Sequence, residues 1–526
     1  MSVKIALILI RFIENRVQQL ALRRMYPASR SFLRRNMVLV PLLAVLLSLA
    51  PALWHELDWS TLSASIQQQD DSEQARLKHA QELMTIRGWL DTLPEGARPV
   101  GEQLFHMCTE KKSAARIARA YGDFSWILDR AELETALLSR NSTQFQGDYC
   151  RVGSRIEIPV PVLRPIDNQP LNWSVTEPIH AIYLQGMNFR PSRLQREVRR
   201  LKSIGANGVV FDVKDIIGVV NYRSGVAEVE QLRRHAPPIS NLPRTIHFLH
   251  EQGIYVIARM ALFQDENLAI RRPDLAIKDG GAPNGILLVK GKPLWVDPGR
   301  EEVQQYNLKI VQELVDLGVD EIQFDYVRYP AEGDLSKVTY YKLQNPAQKT
   351  DNLVRFLSRA REIVHGSNVK TSIDIFGIVA WGEEVDIRAT GQRIERLAQH
   401  VDIISPMLYP SHFSFGFDGF DNPADQGYHF YYEGVKRILA KTDSQIVVRP
   451  WLQAFRWRVK NYDENYIIKQ ILGSDAGGGR GWMMWNAGND YEIVYRALRN
   501  RPIPATPDRQ PARDVATDGD GVTLGD

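Results

Sequence analysis

Two aspartates end stretches that otherwise read as buried β-strands. In DEIQFDYVRYP, residues 320–330, the residues Ile322, Phe324, Tyr326 and Val327 suit a sheet, yet Asp325 stands among them. In SIDIFG, residues 372–377, Asp374 lies between Ile373 and Ile375. An ionised carboxylate in an apolar setting costs several kcal/mol unless it is paired or used. Side chains alternate along a strand, so Gln323 and Asp325 share the face opposite Ile322 and Phe324. By the same rule Asp374 faces away from Ile373 and Ile375. Two carboxylates from neighbouring strands then converge. With aromatic and arginine side chains nearby, such a pair suits cleavage of a glycosidic bond. One carboxyl protonates the leaving oxygen and the other serves as nucleophile or base. A strand-end aspartate can instead cap the next helix or pair with a basic neighbour such as Arg328.

The elements that must position this pair recur from residue 178 to about 500. Strand patterns fall at 179–186, 207–215, 253–262, 319–330, 369–377, 401–410, 445–455 and 480–487, with helical stretches such as 191–205 and 301–318 between them. Eight strands alternating with helices predict an α/β fold, a (β/α)8 TIM barrel, over 175–500. Active sites of such barrels lie at the carboxyl ends of the strands. Candidate substrate-binding residues there are Asp212, Lys214, Arg259, Gln323, Tyr409, His412, Arg449, Trp451, Trp485 and Asn486. Lys214 lies two residues beyond Asp212, shares its face and could simply neutralise it. Tyr409, Trp451, Trp485 and Trp381 could stack on sugar rings or pack the core.

Several function classes are disfavoured. The 65 Lys and Arg against 62 Asp and Glu leave a net charge of +3, no nucleic-acid signature. GGGRG at 477–481 lacks the Lys-Ser/Thr of a phosphate loop and precedes a strand. Two cysteines cannot build a Cys-based zinc site. The 11 histidines are scattered, which argues against a metal-dependent deacetylase. No metal or cofactor is expected.

The net charge hides an asymmetry. Residues 1–36 carry Lys4, Arg11, Arg16, Arg23, Arg24, Arg30, Arg34 and Arg35 against the single acid Glu14. Residues 37–54, MVLVPLLAVLLSLAPALW, carry no charge and approach the ~20 residues needed to cross a bilayer. The arginines predict a cytoplasmic N-terminus, a single inner-membrane span and a periplasmic remainder. APA at 50–52 offers the alternative of a cleaved signal and full export. Residues 55–102 read as a polar stalk and 501–526 as a disordered, Pro- and Asp-rich tail.

Residues 103–162 read as a small α+β unit with helices at 113–122 and 125–141 and a strand at 154–162. RIARAYG, the Asn141 region and VGSRIEIP resemble a degenerate LysM module, although the opening stretch of such modules is missing. The resemblance implies binding of a glycan containing N-acetylglucosamine. In a unit of that shape Cys108 and Cys150 come together, which implies a disulfide, the alternative being two unrelated thiols.

The barrel region resembles a bacterial glycoside-hydrolase-like family known as a domain of unknown function. The residues that carry this are GVVFDVKD, GVVNY, LWVDPGREEVQQYN, DEIQFDYVRYP, SIDIFG and DIISPMLYPSHF. The resemblance implies an α-amylase-like barrel and a polysaccharide substrate. It assigns the nucleophile or base to Asp325. Its acid position usually holds Glu, and here it is the shorter Asp374. The competing reading is a non-catalytic glycan-binding envelope protein, which has no need of two convergent carboxylates.

Overall fold

Short strands persist in water only when packed or stapled, and both devices hold the first unit. The computed structural model describes residues 84–186, 189–442 and 446–499. Strands β1 (Ala97–Val100), β2 (Gln103–Met107) and β3 (Arg155–Glu157) form one antiparallel sheet. Helices α1 (Ala114–Ala120) and α2 (Arg130–Arg140) lie between β2 and β3 in the chain. Ser113 caps α1 by accepting from the Arg116 amide, and Asp129 caps α2 by accepting from Ala131 and Glu132. β1 falls inside the stretch read from sequence as stalk, and it adds an edge to the small sheet.

Cys108 and Cys150 are joined by a disulfide, with their Cα atoms 6.4 Å apart and a sequence separation of 42. Closing a loop of that length constrains the unfolded chain by about 4 kcal/mol in the chain-entropy model. Replacing both cysteines with serine should therefore unfold this unit at markedly lower denaturant, and non-reducing peptide mapping of the native chain should recover the linked pair. Two free thiols in the native chain would refute the bond.

Eight strands close the barrel in chain order: β4 (Ile179–Leu184), β5 (Gly208–Lys214), β6 (Tyr255–Ala261), β7 (Glu321–Asp325), β8 (Lys370–Phe376), β9 (Ile403–Met407), β10 (Trp451–Gln453) and β11 (Gly481–Trp485). All neighbours pair in parallel, and β11 returns to β4. Every residue of β5, β6 and β7 is buried, as parallel strands between a filled interior and a helix layer must be. The outer layer includes α3 (Pro191–Ser203), α4 (Leu242–Glu251), α5 (Glu266–Arg271), α6 (Glu301–Asp316), α7 (Ala347–Val364), α8 (Gly427–Lys441), α9 (Glu464–Gly477) and α10 (Glu492–Arg499).

Two strands are shorter than the sequence pattern predicts. β7 stops at Asp325 because Tyr326 adopts φ +52°, a left-handed turn that ends pairing. The seventh strand is split into Val447–Val448 and Trp451–Gln453 by Pro450, which has no N–H to give the ladder.

The first unit is pinned to the barrel through α4. Arg244 donates to the carbonyls of Ile127 and Leu128 at 3.1 and 2.6 Å, and Trp126 stacks on His247 at 3.9 Å. Among the described residues no helix is long and apolar enough to cross a membrane. The apolar run 37–54, the basic segment before it, most of the stalk and the tail lie outside the described residues.

Candidate active site

The interior of the barrel is polar in layers, and alternation along β7 shows why. Glu321, Gln323 and Asp325 share the inner face. At the lowest layer Glu321 binds Arg449 at 2.7 Å and accepts from Ser372 at 2.6 Å and Tyr255 at 3.2 Å. One layer up, Gln323 donates to Ser405 at 3.3 Å. At the top, Asp325 reaches the mouth. Phe324 pairs with Ile373, so Asp325 and Asp374 are adjacent on neighbouring strands.

One guanidinium ties the mouth together. Arg259, from β6, forms ion pairs with Asp212 and Asp325, and its Nε lies 3.5 Å from Asp374 Oδ2. Tyr183 donates to Asp212 at 2.5 Å, and the Tyr326 amide donates to Asp325 at 2.5 Å. Trp451 Nε1 donates to Asp374 Oδ1 at 2.8 Å, while Oδ2 has no hydrogen-bond partner. Three carboxylates thus face one cation, all nearly out of water. Burial pushes the Asp374 pKa well above the usual carboxylate range, and the Asp325 charge pushes the same way against Arg259 and the Trp451 bond. Burial opposes the Arg259 charge, but Asp212, Asp325 and Asp374 outweigh it and hold its pKa well above the usual value. The cluster is one guanidinium bound to Asp212 and Asp325, with the buried Asp374 carboxyl beside it at a raised pKa.

A cleft of about 570 Å³ opens over this cluster and is lined by Arg259, Asp325 and Asp374 together with Tyr409, His412, Trp451 and Trp485. A second cleft, of about 740 Å³, includes Asp212, Asp215 and Asn221. The Arg259–Asp212 pair therefore joins the walls of two clefts. Among the described residues no group of three or more His, Cys, Asp or Glu side chains is placed to hold a metal ion.

Four residues named as substrate-binding candidates lie elsewhere. Lys214 does not share the Asp212 face. A bulge between Asp212 and Lys214 shifts the register, and Lys214 turns into the helix layer. There it pairs with Asp265 at 2.8 Å and donates to Ala261 O at 2.8 Å and Asn307 Oδ1 at 3.1 Å. Gln323 lies one layer too deep. Arg449 sits below the Pro450 break and reaches down to Glu321, away from the mouth. Asn486 holds its own loop, donating to Ala454 O at 2.6 Å and accepting from the Gly488 amide at 2.8 Å. Trp381 is not in the cleft wall either: it packs against Phe413 and Phe417, with ring centroids 5.0 and 5.5 Å away.

The partner suggested for Asp325, Arg328, is engaged otherwise. It binds Glu332 at 2.8 Å and lies over the Phe376 ring at 4.2 Å. Tyr183 and Glu332 join the mouth without having been singled out in sequence. For Tyr183 the inward phase of β4 was the available signal; for Glu332, in a loop, there was none.

A family model described as "Putative glycosyl hydrolase domain" matches residues 181–491, from within β4 to just before α10. The chain belongs to this glycosyl hydrolase domain family. Solved structures similar to it share little sequence. A hypothetical protein from Ruminiclostridium thermocellum ATCC 27405 is 29% identical over 36% of this chain and 96% of that one, with a TM-score of 0.32. The PgaB (BpsB) glycoside hydrolase domain from Bordetella bronchiseptica is 15% identical over 65% and 100%, with a TM-score of 0.48. The spore cortex-lytic enzyme SleL from Bacillus megaterium QM B1551 is 11% identical over 76% and 87%, with a TM-score of 0.37. No curated protein matches the chain. The glycosyl hydrolase domain accounts for the barrel, and the first unit, residues 97–157, precedes the matched region.

Proposed function

We propose that this chain is a glycoside hydrolase acting on a cell-envelope or extracellular polysaccharide, with Asp325 as nucleophile or base and Asp374 as proton donor. The observation that carries the reading is the contrast between two adjacent carboxyls. Asp325 is ion-paired with Arg259. Asp374 is buried with its pKa raised, and its Oδ2 has only the Arg259 Nε contact at 3.5 Å. Two carboxyls with divergent environments are what acid–base cleavage of an acetal requires. Arg259 holds Asp325 in place and pairs with Asp212 as well. Tyr409, Trp485 and His412 offer ring surfaces to the substrate.

The test is product analysis. The full chain in detergent is incubated with purified peptidoglycan and with exopolysaccharides, and new reducing ends are counted and sized. Glycan binding without any new reducing end would favour a non-catalytic envelope glycan binder instead.

The reading extends to location and to the first unit. Residues 37–54 anchor the chain in the inner membrane with the barrel in the periplasm, unless cleavage near 50–52 releases it. The Cys108–Cys150 disulfide supports an oxidising compartment. The first unit, with its two helices between β2 and β3, is read as a LysM-like module that takes a glycan containing N-acetylglucosamine. A reporter fused at Arg501 should be active only as an exported fusion. Cytoplasmic activity of that fusion would remove the envelope assignment.

A further inference from the structure

Two large aromatic side chains stand in water beside the cleft. Trp457 is 52% exposed and Phe415 70% exposed. They occupy the loops that follow β10 and β9, at the carboxyl ends of the strands. The β9 loop also supplies Tyr409, His412, Phe413 and Phe417 to the cleft wall. From the cleft outward the rings form a continuous series. Trp485 lies 5.9 Å from Tyr409, Tyr409 lies 5.2 Å from His412, and His412 lies 5.1 Å from Trp457.

The two loops are also locked together, and one residue does most of this. Arg458 takes φ +60°, a conformation unfavourable for a residue with a Cβ. It donates to the carbonyls of Ser411 and Phe413 at 2.7 and 2.9 Å. Its guanidinium lies 4.2 Å over Phe415 and 5.8 Å from the Trp457 ring. Asn422 donates to Arg458 O at 3.2 Å, and the Lys460 amide donates to Asp425 at 2.8 Å. A strained residue that crosslinks two loops under exposed aromatics fits a function better than it fits packing, since strain of this kind concentrates at binding sites. Rigid aromatics also bind at low entropic cost.

We infer that Trp457, backed by Phe415 and Arg458, forms an outlying subsite that stacks on a sugar ring of the polysaccharide beyond the bond being cleaved. A neutral pyranose with equatorial hydroxyls presents an apolar C–H face to such a ring. The subsite continues the cleft wall through His412, so it takes the same chain as the cleft and not a separate ligand. The inference rests on the glycan reading of the cleft, and it makes the protein selective for long chains over short oligosaccharides.

The test separates the subsite from the chemistry. The full chain carrying Asp325→Asn is titrated calorimetrically with β-1,4-linked N-acetylglucosamine oligomers of two to six sugars. Affinity should rise with length. Adding Trp457→Ala should weaken binding of the longest oligomer roughly tenfold and leave the disaccharide unchanged. Trp457→Phe should restore most of the loss, and neither change should move the melting temperature, because Trp457 is exposed. Equal loss at every length, no loss at any length, or no binding by the parent chain overturns the subsite. Length-dependent binding that needs Trp457, together with absent turnover in the wild type, upholds the subsite and overturns the hydrolase assignment instead.

Discussion

Asp325→Asn and Asp374→Asn should each leave a folded chain that binds glycan and loses about 10²–10⁴-fold in turnover. The two losses should differ in kind. Asparagine at 374 mimics the neutral acid in shape. It can still accept from Trp451 through its carbonyl, but it has no proton to give. Its turnover should fall most on substrates with poor leaving groups and least on activated aryl glycosides. Asparagine at 325 removes the charge that supports an oxocarbenium-like transition state, so every substrate should suffer. The double variant should lose less than the product of the two factors, since the pair acts as a unit.

The acidity of Asp374 sets the pH dependence. Its folded pKa is raised by burial and then by Asp325. Activity that needs the protonated acid should therefore fall as pH rises through that raised value, and Asp374→Asn should abolish this alkaline limb. Stability follows the same sign. A raised carboxyl pKa contributes stability below the ordinary value of 3.8 that is lost as pH climbs through the folded one. Asp374→Asn removes that loss, so the variant should melt no lower than the wild type at neutral pH. Turnover retained in both single variants would remove the pair from the mechanism. Unfolding of Asp325→Asn would mark Asp325 as a structural partner of Arg259.

The second large effect is on stability. Lys214→Met should cost about 3–5 kcal/mol in denaturant unfolding, because it leaves Asp265 as an uncompensated buried charge. Lys214 and Asp265 are both fully buried, 2.8 Å apart, and Asp265 also caps α5 by accepting from the Leu268 amide. Adding Asp265→Asn keeps the cap acceptor, removes the stranded charge and should recover most of the loss. Turnover per folded molecule should be unchanged in both variants. A lysine that instead lost turnover at full stability would belong to the active site after all.

The contrast between Lys214 and Asp325 shows where local pattern stops. Alternation correctly put Asp325 and Asp374 on inward faces, because both lie in regular pairing up to the mouth. The same rule placed Lys214 with Asp212 and failed, since the bulge after Asp212 breaks the period of two. Arg449 was misplaced for a related reason. It lies on the inner face, but Pro450 and a long side chain send its charge down to Glu321.

What the residue pattern determined by itself was the barrel and the strands that carry the acids, because eight buried strands alternating with helices admit few other folds. The apolar run 37–54 and its arginines lie outside the described residues, so the span read from them stays a proposal. Tertiary structure alone decided which charges meet. No local signal pairs Arg259 with Asp212, Asp325 and Asp374, or His412 with Trp457, since each contact crosses between strands or loops distant in sequence. It also gave the two carboxyls different surroundings. Asp325 and Asp374 are the same residue type at equivalent strand ends, and they differ only in what surrounds them: Asp325 is held closely by Arg259, whereas Asp374 is buried against tryptophan and only loosely approached by the same guanidinium.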